Sequence, residues 1–510
     1  LAERIIYMEI IMTMWKKLIA LSCITLSAQA VAVEPSTSKQ QITELKITEQ
    51  PLVLESCHIK GIKEQVKCGT LSVPENYQAP KVNAIDINLV VLPSLDRTSE
   101  AVPLMFLAGG PGQAATELAA HIRQTFSQIR KQRDIILVDQ RGTGKSNALI
   151  CEEANLDTQN VYTAIEADLT REQVSSCLTE FHQDLSQYNT ENAIRDFDAV
   201  RAALGHQQIN LYGGSYGTRA GLVYMRMFPG NIRGVILDSV GPIEVPIGLF
   251  GLSGTRSFDL LVEHCMQEAA CQKAFPELKA DFQKVFEGLK QSPVETTIVH
   301  PRLGTPVTFK IDVQKFVSTI QMQLYQMQMR TMVPLVISEA AKGNYLPLAG
   351  LAAMNDKDIP QGGVYSGVLL NIVCNEDFPR ITLEQWSIDA KNDYSQNVIH
   401  RALRFVCPLW PKYRPSEDFY QPITNDIPTL ILSGNLDPVT PPSNGEKPDA
   451  TLPNSKHIVV EYAAHIVAST ECGVSLVDQF LKNLSFDDVD ESCVADLPPE
   501  SFMTSLNGNI

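Results

Sequence analysis

The chain has 510 residues, 44% apolar and 20% charged, which supplies a large buried core and excludes wholesale disorder, collagen and coiled coil. Its 42 Lys and Arg against 58 Asp and Glu leave a net charge of −16, the wrong sign for a general nucleic-acid binder or for docking on an anionic membrane surface. At about 150 residues per domain, length alone predicts roughly three domains.

The chain opens on a targeting pattern. Lys16 and Lys17, the apolar stretch Leu18–Leu26, and Ala28-Gln29-Ala30 or Ala30-Val31-Ala32 read as a cleaved secretory signal over residues 1–32. The apolar run is too short to span a bilayer, which takes about 20 residues, so no stable membrane insertion is expected after cleavage. A rival reading makes Cys23, behind Ser22, a lipidated N-terminus. Ala20 fits that reading poorly, and too little apolar sequence precedes the cysteine. Residues 1–11 read as an upstream extension, because the signal starts naturally at Met12 or Met14. The expected destination is periplasmic or secreted, where cysteines pair. Removing Cys23 turns eleven cysteines into ten. Their order suggests the pairs Cys57–Cys68, Cys151–Cys177, Cys265–Cys271, Cys374–Cys407 and Cys472–Cys493, although order does not exclude other connectivities. No CxxC or Cys/His cluster has zinc spacing, so neither a metal nor a cofactor is implied.

From about Leu52, short apolar runs alternate with helix-length segments, the pattern of a mostly parallel α/β sheet. Strands are predicted at Ile85–Leu92, Leu104–Leu107, Ile135–Val138, Ile209–Tyr212, Val235–Leu237, Thr429–Leu432 and Ile458–Glu461. Helices are predicted at Asn192–Leu204 and Thr218–Phe228. Between Gly241 and Tyr420 no comparable strand series occurs. There the run Thr319–Met329, with Met322, Met327 and Met329, reads as core at helical spacing, with a flexible binding groove as the alternative. The simplest organisation is an α/β core over residues 50–240 and 421–500, interrupted by a mainly helical insertion over 241–420.

The strongest chemical signal is Tyr212-Gly213-Gly214-Ser215-Tyr216-Gly217-Thr218. It places G-x-S-x-G directly after a strand and before an amphipathic helix, the context a nucleophile elbow requires. A serine hydroxyl needs a base oriented by a third group. His465, just beyond the last predicted strand, suits the base; His457, at the start of that strand, lies on the opposite edge of the sheet. Asp437, in a Gly/Pro-punctuated loop after a strand, suits the acid, and Asp238, also at a strand end, is its rival. Gly109 and Gly110, after an early strand, with the N–H of Tyr216, would make an oxyanion hole. Asp139–Ser146 ends in Gly-Lys-Ser like a phosphate loop, but Asp139 stands where that motif needs glycine.

Together GGPG at 109–112, DQRGTGKS at 139–146, GGSYGT at 213–218, GNLDPVTP at 434–441 and the late His465 resemble the proline iminopeptidase/tripeptidyl aminopeptidase family of α/β-hydrolases, from about Cys57 to Cys493. Cys68–Pro74, Cys374–Asp377 and the cysteine near Trp410 fit its secreted branch with a tripeptidyl-aminopeptidase-like C-terminal region. The resemblance implies an α/β-hydrolase fold with a helical cap, Ser215, Asp437 and His465 as the triad, and cleavage at free peptide N-termini. It also implies cap carboxylates that hold the substrate ammonium: Glu376, with Asp377 as near rival, or else Glu376 is a plain surface charge. Ala108 replaces the family's common His before GGPG, and Ala464 its common Gly before the histidine. The expected partner is a peptide with a free N-terminus, not a nucleic acid. An esterase on the same machinery is the alternative. A binding protein on a hydrolase scaffold is a third reading, against which the full Ser/Asp/His set stands.

Overall fold

The structure is a computed structural model that describes residues 52–151, 170–301, 304–354, 363–391, 394 and 398–507. The expected signal segment and Cys23 lie outside the described residues. Nine strands form one sheet in the order β1-β2-β3-β5-β4-β6-β7-β10-β11. They are β1 Glu55–Cys57, β2 Val66–Pro74, β3 Ala84–Leu92, β4 Leu104–Leu107, β5 Ile135–Val138, β6 Ile209–Gly214, β7 Ile232–Asp238, β10 Thr429–Gly434 and β11 Ser455–Val460. The pairings β1–β2, β2–β3 and β3–β5 are antiparallel. Those from β5 through β4, β6, β7 and β10 to β11 are parallel.

The central strands read as unbroken apolar runs because both of their faces are covered. On one face Leu89, Met105, Leu211 and Val235 meet Phe197 and Val200 of the helix Thr190–Ala203 and Leu222 and Val223 of the helix Tyr216–Met227. On the other, Phe106, Leu137, Ile236 and Leu432 meet Ile122 of the helix Ala119–Thr125 and Val477, Phe480 and Leu481 of the helix Glu471–Asn483. Each such side chain, fully buried, contributes about 1.5–3 kcal/mol. The register sets Leu107 beside Gly213, Gly214 beside Asp238, and Asp238 beside Leu432. The carboxyl ends of β4, β6, β7 and β10 therefore form one rim. Chain order reverses at β4, which lies between β5 and β6, and α/β sheets bind ligands outside such a switch point.

Between β7 and β10 the described residues are mostly helical and pack around Phe258, Phe282, Phe316, Ile320 and Val336. They also include an antiparallel hairpin that no predicted strand covers, β8 Val294–Val299 with β9 Pro306–Ile311. Strands β1 and β2 were likewise not among the predicted ones. The joined cysteines are Cys57–Cys68, Cys151–Cys177, Cys265–Cys271, Cys374–Cys407 and Cys472–Cys493. Among the described residues no helix is long and apolar enough to cross a membrane.

Candidate active site

Strand β6 ends at Gly214, and Ser215 caps the helix Tyr216–Met227 with φ 56° and ψ −124°. A non-glycine residue seldom adopts that conformation, and such backbone strain persists only where the surroundings enforce it. Two glycines permit the turn. A Cβ on Gly213 would lie 2.3 Å from the Gly217 carbonyl oxygen, and one on Gly217 would lie 2.1 Å from that of Leu107. Strand, elbow and helix close on one another only because both positions lack a side chain.

His465 follows β11, and its Nδ1 lies 2.8 Å from Asp437 Oδ2. Asp437 is fully buried and also accepts from the N–H groups of Val439 and Thr440 and from the Thr440 hydroxyl. Burial by itself would raise its pKa; the His465 ring and these hydrogen bonds outweigh burial and hold it below the ordinary carboxylate value. Thr440 Oγ1 is in addition 3.2 Å from His465 Nδ1, so the hydroxyl bridges carboxylate and imidazole. From the insertion, Tyr325 accepts the His465 backbone N–H through its carbonyl and sets its ring edge-on to the imidazole at 5.0 Å.

Asp238 goes elsewhere. It accepts from the Tyr212 hydroxyl and from the N–H groups of Val467 and Ala468, and burial raises its pKa against those bonds. It supports the segment that follows the histidine, while Asp437 meets the ring. His457 lies on β11 with Nε2 2.9 Å from Ser433 Oγ, and burial lowers its pKa.

Ser215, His465, Gly109, Gly110 and Tyr216 line one cavity of about 660 Å³. A Cβ on Gly109 would lie 3.3 Å from that of Ser215, so the GGPG turn abuts the elbow. The lining is largely apolar, with Phe106, Leu118, Ile122, Ile247, Phe250 and Met322 among its members. Met322 thus faces the cavity, while its neighbours Gln321 and Gln323 are buried with Phe316 and Ile320 of the same helix.

Glu376 and Asp377 are not among the lining residues, which corrects their expected place in the pocket, and neither is a surface charge. Asp377 is bound by both oxygens to Arg219 Nη1 and also holds Arg380. Glu376 accepts from Thr190 and Tyr413. Among the described lining residues the one carboxylate is Asp389, whose oxygens accept the N–H groups of Gly251 and Leu252. The phosphate-loop look-alike is a buried brace. Asp139 accepts from Thr116 and Asn88, and Arg141 forms a two-pronged ion pair with Asp196.

Sequence reasoning missed Thr440, Tyr325 and Asp389. Thr440 had a signal, since it stands three residues after Asp437, within reach of the same turn. Nothing local marks the other two. A strained serine, an imidazole anchored by a buried carboxylate, and backbone donors around one apolar cavity are the parts of acyl transfer through serine.

A family model described as alpha/beta hydrolase fold matches residues 102–288, and one described as TAP-like protein matches residues 393–493. The protein named serine protease Hip1 of Mycobacterium tuberculosis is 26% identical over 408 residues, 73% of this chain and 76% of that one. The tripeptidyl aminopeptidase of Streptomyces lividans is 29% identical over 198 residues, 35% and 36% of the two chains. The proline iminopeptidase of Neisseria gonorrhoeae is 26% identical over 141 residues, 28% and 33% of the two. The two family matches carry β4 to β7 and β10 to β11, the strands that β7–β10 pairing joins into one rim. The chain is a serine hydrolase on an α/β-hydrolase fold with a TAP-like C-terminal region, similar to the proline iminopeptidase/tripeptidyl aminopeptidase family.

Proposed function

We propose that the protein is a periplasmic or secreted aminopeptidase that releases prolyl or short, tripeptide-sized units from free peptide N-termini through an acyl-enzyme. The observation that carries this reading is the 2.8 Å contact of Asp437 with His465 at the cavity that also receives Ser215. His465 takes the Ser215 proton as the hydroxyl attacks the scissile carbonyl. The developing oxyanion rests on the N–H of Tyr216 with those of Gly109 and Gly110. His465 then protonates the leaving amine and activates water, while Asp437 holds the tautomer and stabilises the imidazolium. A cavity of about 660 Å³ is in the range that encloses ligands larger than one prolyl unit. Five disulfides support an oxidising destination.

With Glu376 and Asp377 turned to protein partners, Asp389 is the carboxylate that a substrate ammonium would meet among the described lining residues. That its oxygens already serve a helix N-terminus, in an otherwise apolar lining, favours a second reading as an esterase. Peptide anilides with free and blocked N-termini, compared with short acyl esters, separate the two. The free peptide should turn over at least about 30-fold faster than the blocked one, the equivalent of about 2 kcal/mol for a desolvated charge pair. Equal turnover of the two would sink the aminopeptidase reading. Ser215→Ala should lose both activity and labelling by a fluorophosphonate probe, and continued labelling would mean another nucleophile.

A further inference from the structure

Glu376 lies on a π-helical turn, Val373–Asp377, that continues the helix Ser366–Ile372, and the disulfide from Cys374 to Cys407 ties the turn down. Turns of this kind occur often at functional sites. The carboxylate is 1% exposed and lies off the cavity. Its Oε1 accepts from Thr190 N–H and the Tyr413 hydroxyl, each at 2.9 Å, and its Oε2 accepts from Thr190 Oγ1 at 2.5 Å. Thr190 Oγ1 is in turn 2.7 Å from the hydroxyl of Tyr216, the residue that follows Ser215.

The polarity of this chain follows from proton counting. Thr190 has a single hydroxyl hydrogen, and an ionised Glu376 takes it. Thr190 is then an acceptor, and the Tyr216 phenol donates to it. A neutral acid on Oε2, or an amide nitrogen there, donates to Thr190 instead. Thr190 must then donate to Tyr216, and the phenol hydrogen turns away from Thr190 toward the Gln140 side chain that also faces it.

We propose that ionised Glu376 is a positioning residue that holds the Tyr216 side chain through Thr190 and thereby sets the backbone N–H after Ser215. The proposal rests on the reading of that N–H as an oxyanion donor. Such donors act through geometry fixed in advance, so a small displacement acts on kcat rather than on substrate binding.

The charged and titratable groups around Glu376 leave it as the group of the cluster that changes charge near neutrality. Asp377, on its own turn, is paired with Arg219 from the Ser215 helix and with Arg380. Burial keeps the phenols of Tyr216, Tyr413 and Tyr420 protonated, and Tyr420 donates to the Glu376 backbone carbonyl at 2.8 Å. Burial, aided by the charge of Asp377, pushes Glu376 up to about 7 against the bonds from Thr190 and Tyr413. The positioning is therefore present above that value and lost as pH falls through it.

Glu376→Gln locks the chain in the reversed polarity. The ratio of wild-type to variant kcat cancels every pH dependence that both share. It should be near one at about pH 5.5 and rise on the order of tenfold by about pH 8.5, below the 10²–10³ that follows outright loss of an oxyanion donor. KM should stay within about twofold. Tyr216→Phe, which removes only the phenol oxygen, should show the same loss at the higher pH, and the double variant should lose no more. A flat ratio across pH, additive losses, or raised KM at unchanged kcat would overturn the proposal, the last by returning Glu376 to substrate binding. If Glu376→Gln does not fold, wild-type kcat in Tyr216→Phe overturns it alone. The ratio is read on a short acyl ester as well as a free peptide anilide. Failure of the wild type on the peptide then ends the aminopeptidase reading and leaves the ratio measurable.

Discussion

Two aspartates stand at the rim of the sheet, Asp238 at the end of β7 and Asp437 beyond the end of β10, and what each touches separates them. Asp437 meets the imidazole, and Asp238 holds Tyr212 and the backbone at Val467 and Ala468. Asp437→Asn should lower kcat on the order of 10⁴-fold, as expected when the histidine is held in the wrong tautomer. Asp238→Asn should instead cost about 1–3 kcal/mol of stability, because a buried donor is left unpaired. Steady-state kinetics and urea midpoints on the two variants check this, and the opposite order would move the acid to Asp238. Sequence placed both residues at strand ends and could not rank them by contact. Their difference arises from β7–β10 pairing, which sets Asp238 beside Leu432 and leaves Asp437 one turn farther out. Glu376 shows the reverse limit. Resemblance marked it for chemistry, and its partners Thr190 and Tyr413 come from segments 186 and 37 residues away, a distance no local pattern spans.

At the scale of elements, the strand–elbow–helix unit was legible because its signals are local: an apolar run, paired glycines, an amphipathic helix. Gly217→Ala tests how tightly it closes. With the Leu107 carbonyl 2.1 Å from the new Cβ, the strand and helix must separate. The variant should lose at least about 1–3 kcal/mol, the cost of overpacking, and most of its turnover. Thermal unfolding and kinetics on the variant read both, and an unchanged midpoint would mean that the elbow yields freely. Hairpin β8–β9 escaped the sequence because its alternation is short and Thr-rich within a stretch that otherwise reads helical. The methionine run divides between its two readings: Ile320, Leu324 and Met329 belong to or pack against the core, and Met322 does not. Hydrophobic spacing assigns Met to the core, yet here Gln323 is buried through a hydrogen bond to the Thr319 carbonyl, and Gln321 through one from the Tyr394 hydroxyl. Met322 is left to line the cavity.

At the scale of the whole molecule, the described residues form one compact unit, where length alone suggested about three domains. The sheet is assembled from two separated stretches of chain, and five disulfides pin its margins and the helical segment between them. Each closes a loop of 6 to 33 residues, and bridges of this kind contribute about 2–4 kcal/mol apiece. If the signal segment is removed as its pattern predicts, thiol titration of the protein, denatured without reductant, should find no free thiol. One thiol would mean that Cys23 is retained, and more than one would break the pairing. Sequence by itself indicated the fold class, marked the elbow serine and the histidine as candidates, and suggested the cysteine pairs, because apolar periodicity, glycine geometry and cysteine order are written over neighbouring residues. Tertiary structure alone decided what holds Asp238, that Glu376 and Asp377 face inward rather than into the pocket, and that Thr440 and Tyr325 stand against the imidazole. Those are contacts between surfaces that only the packed sheet and its helical cover bring within hydrogen-bond reach.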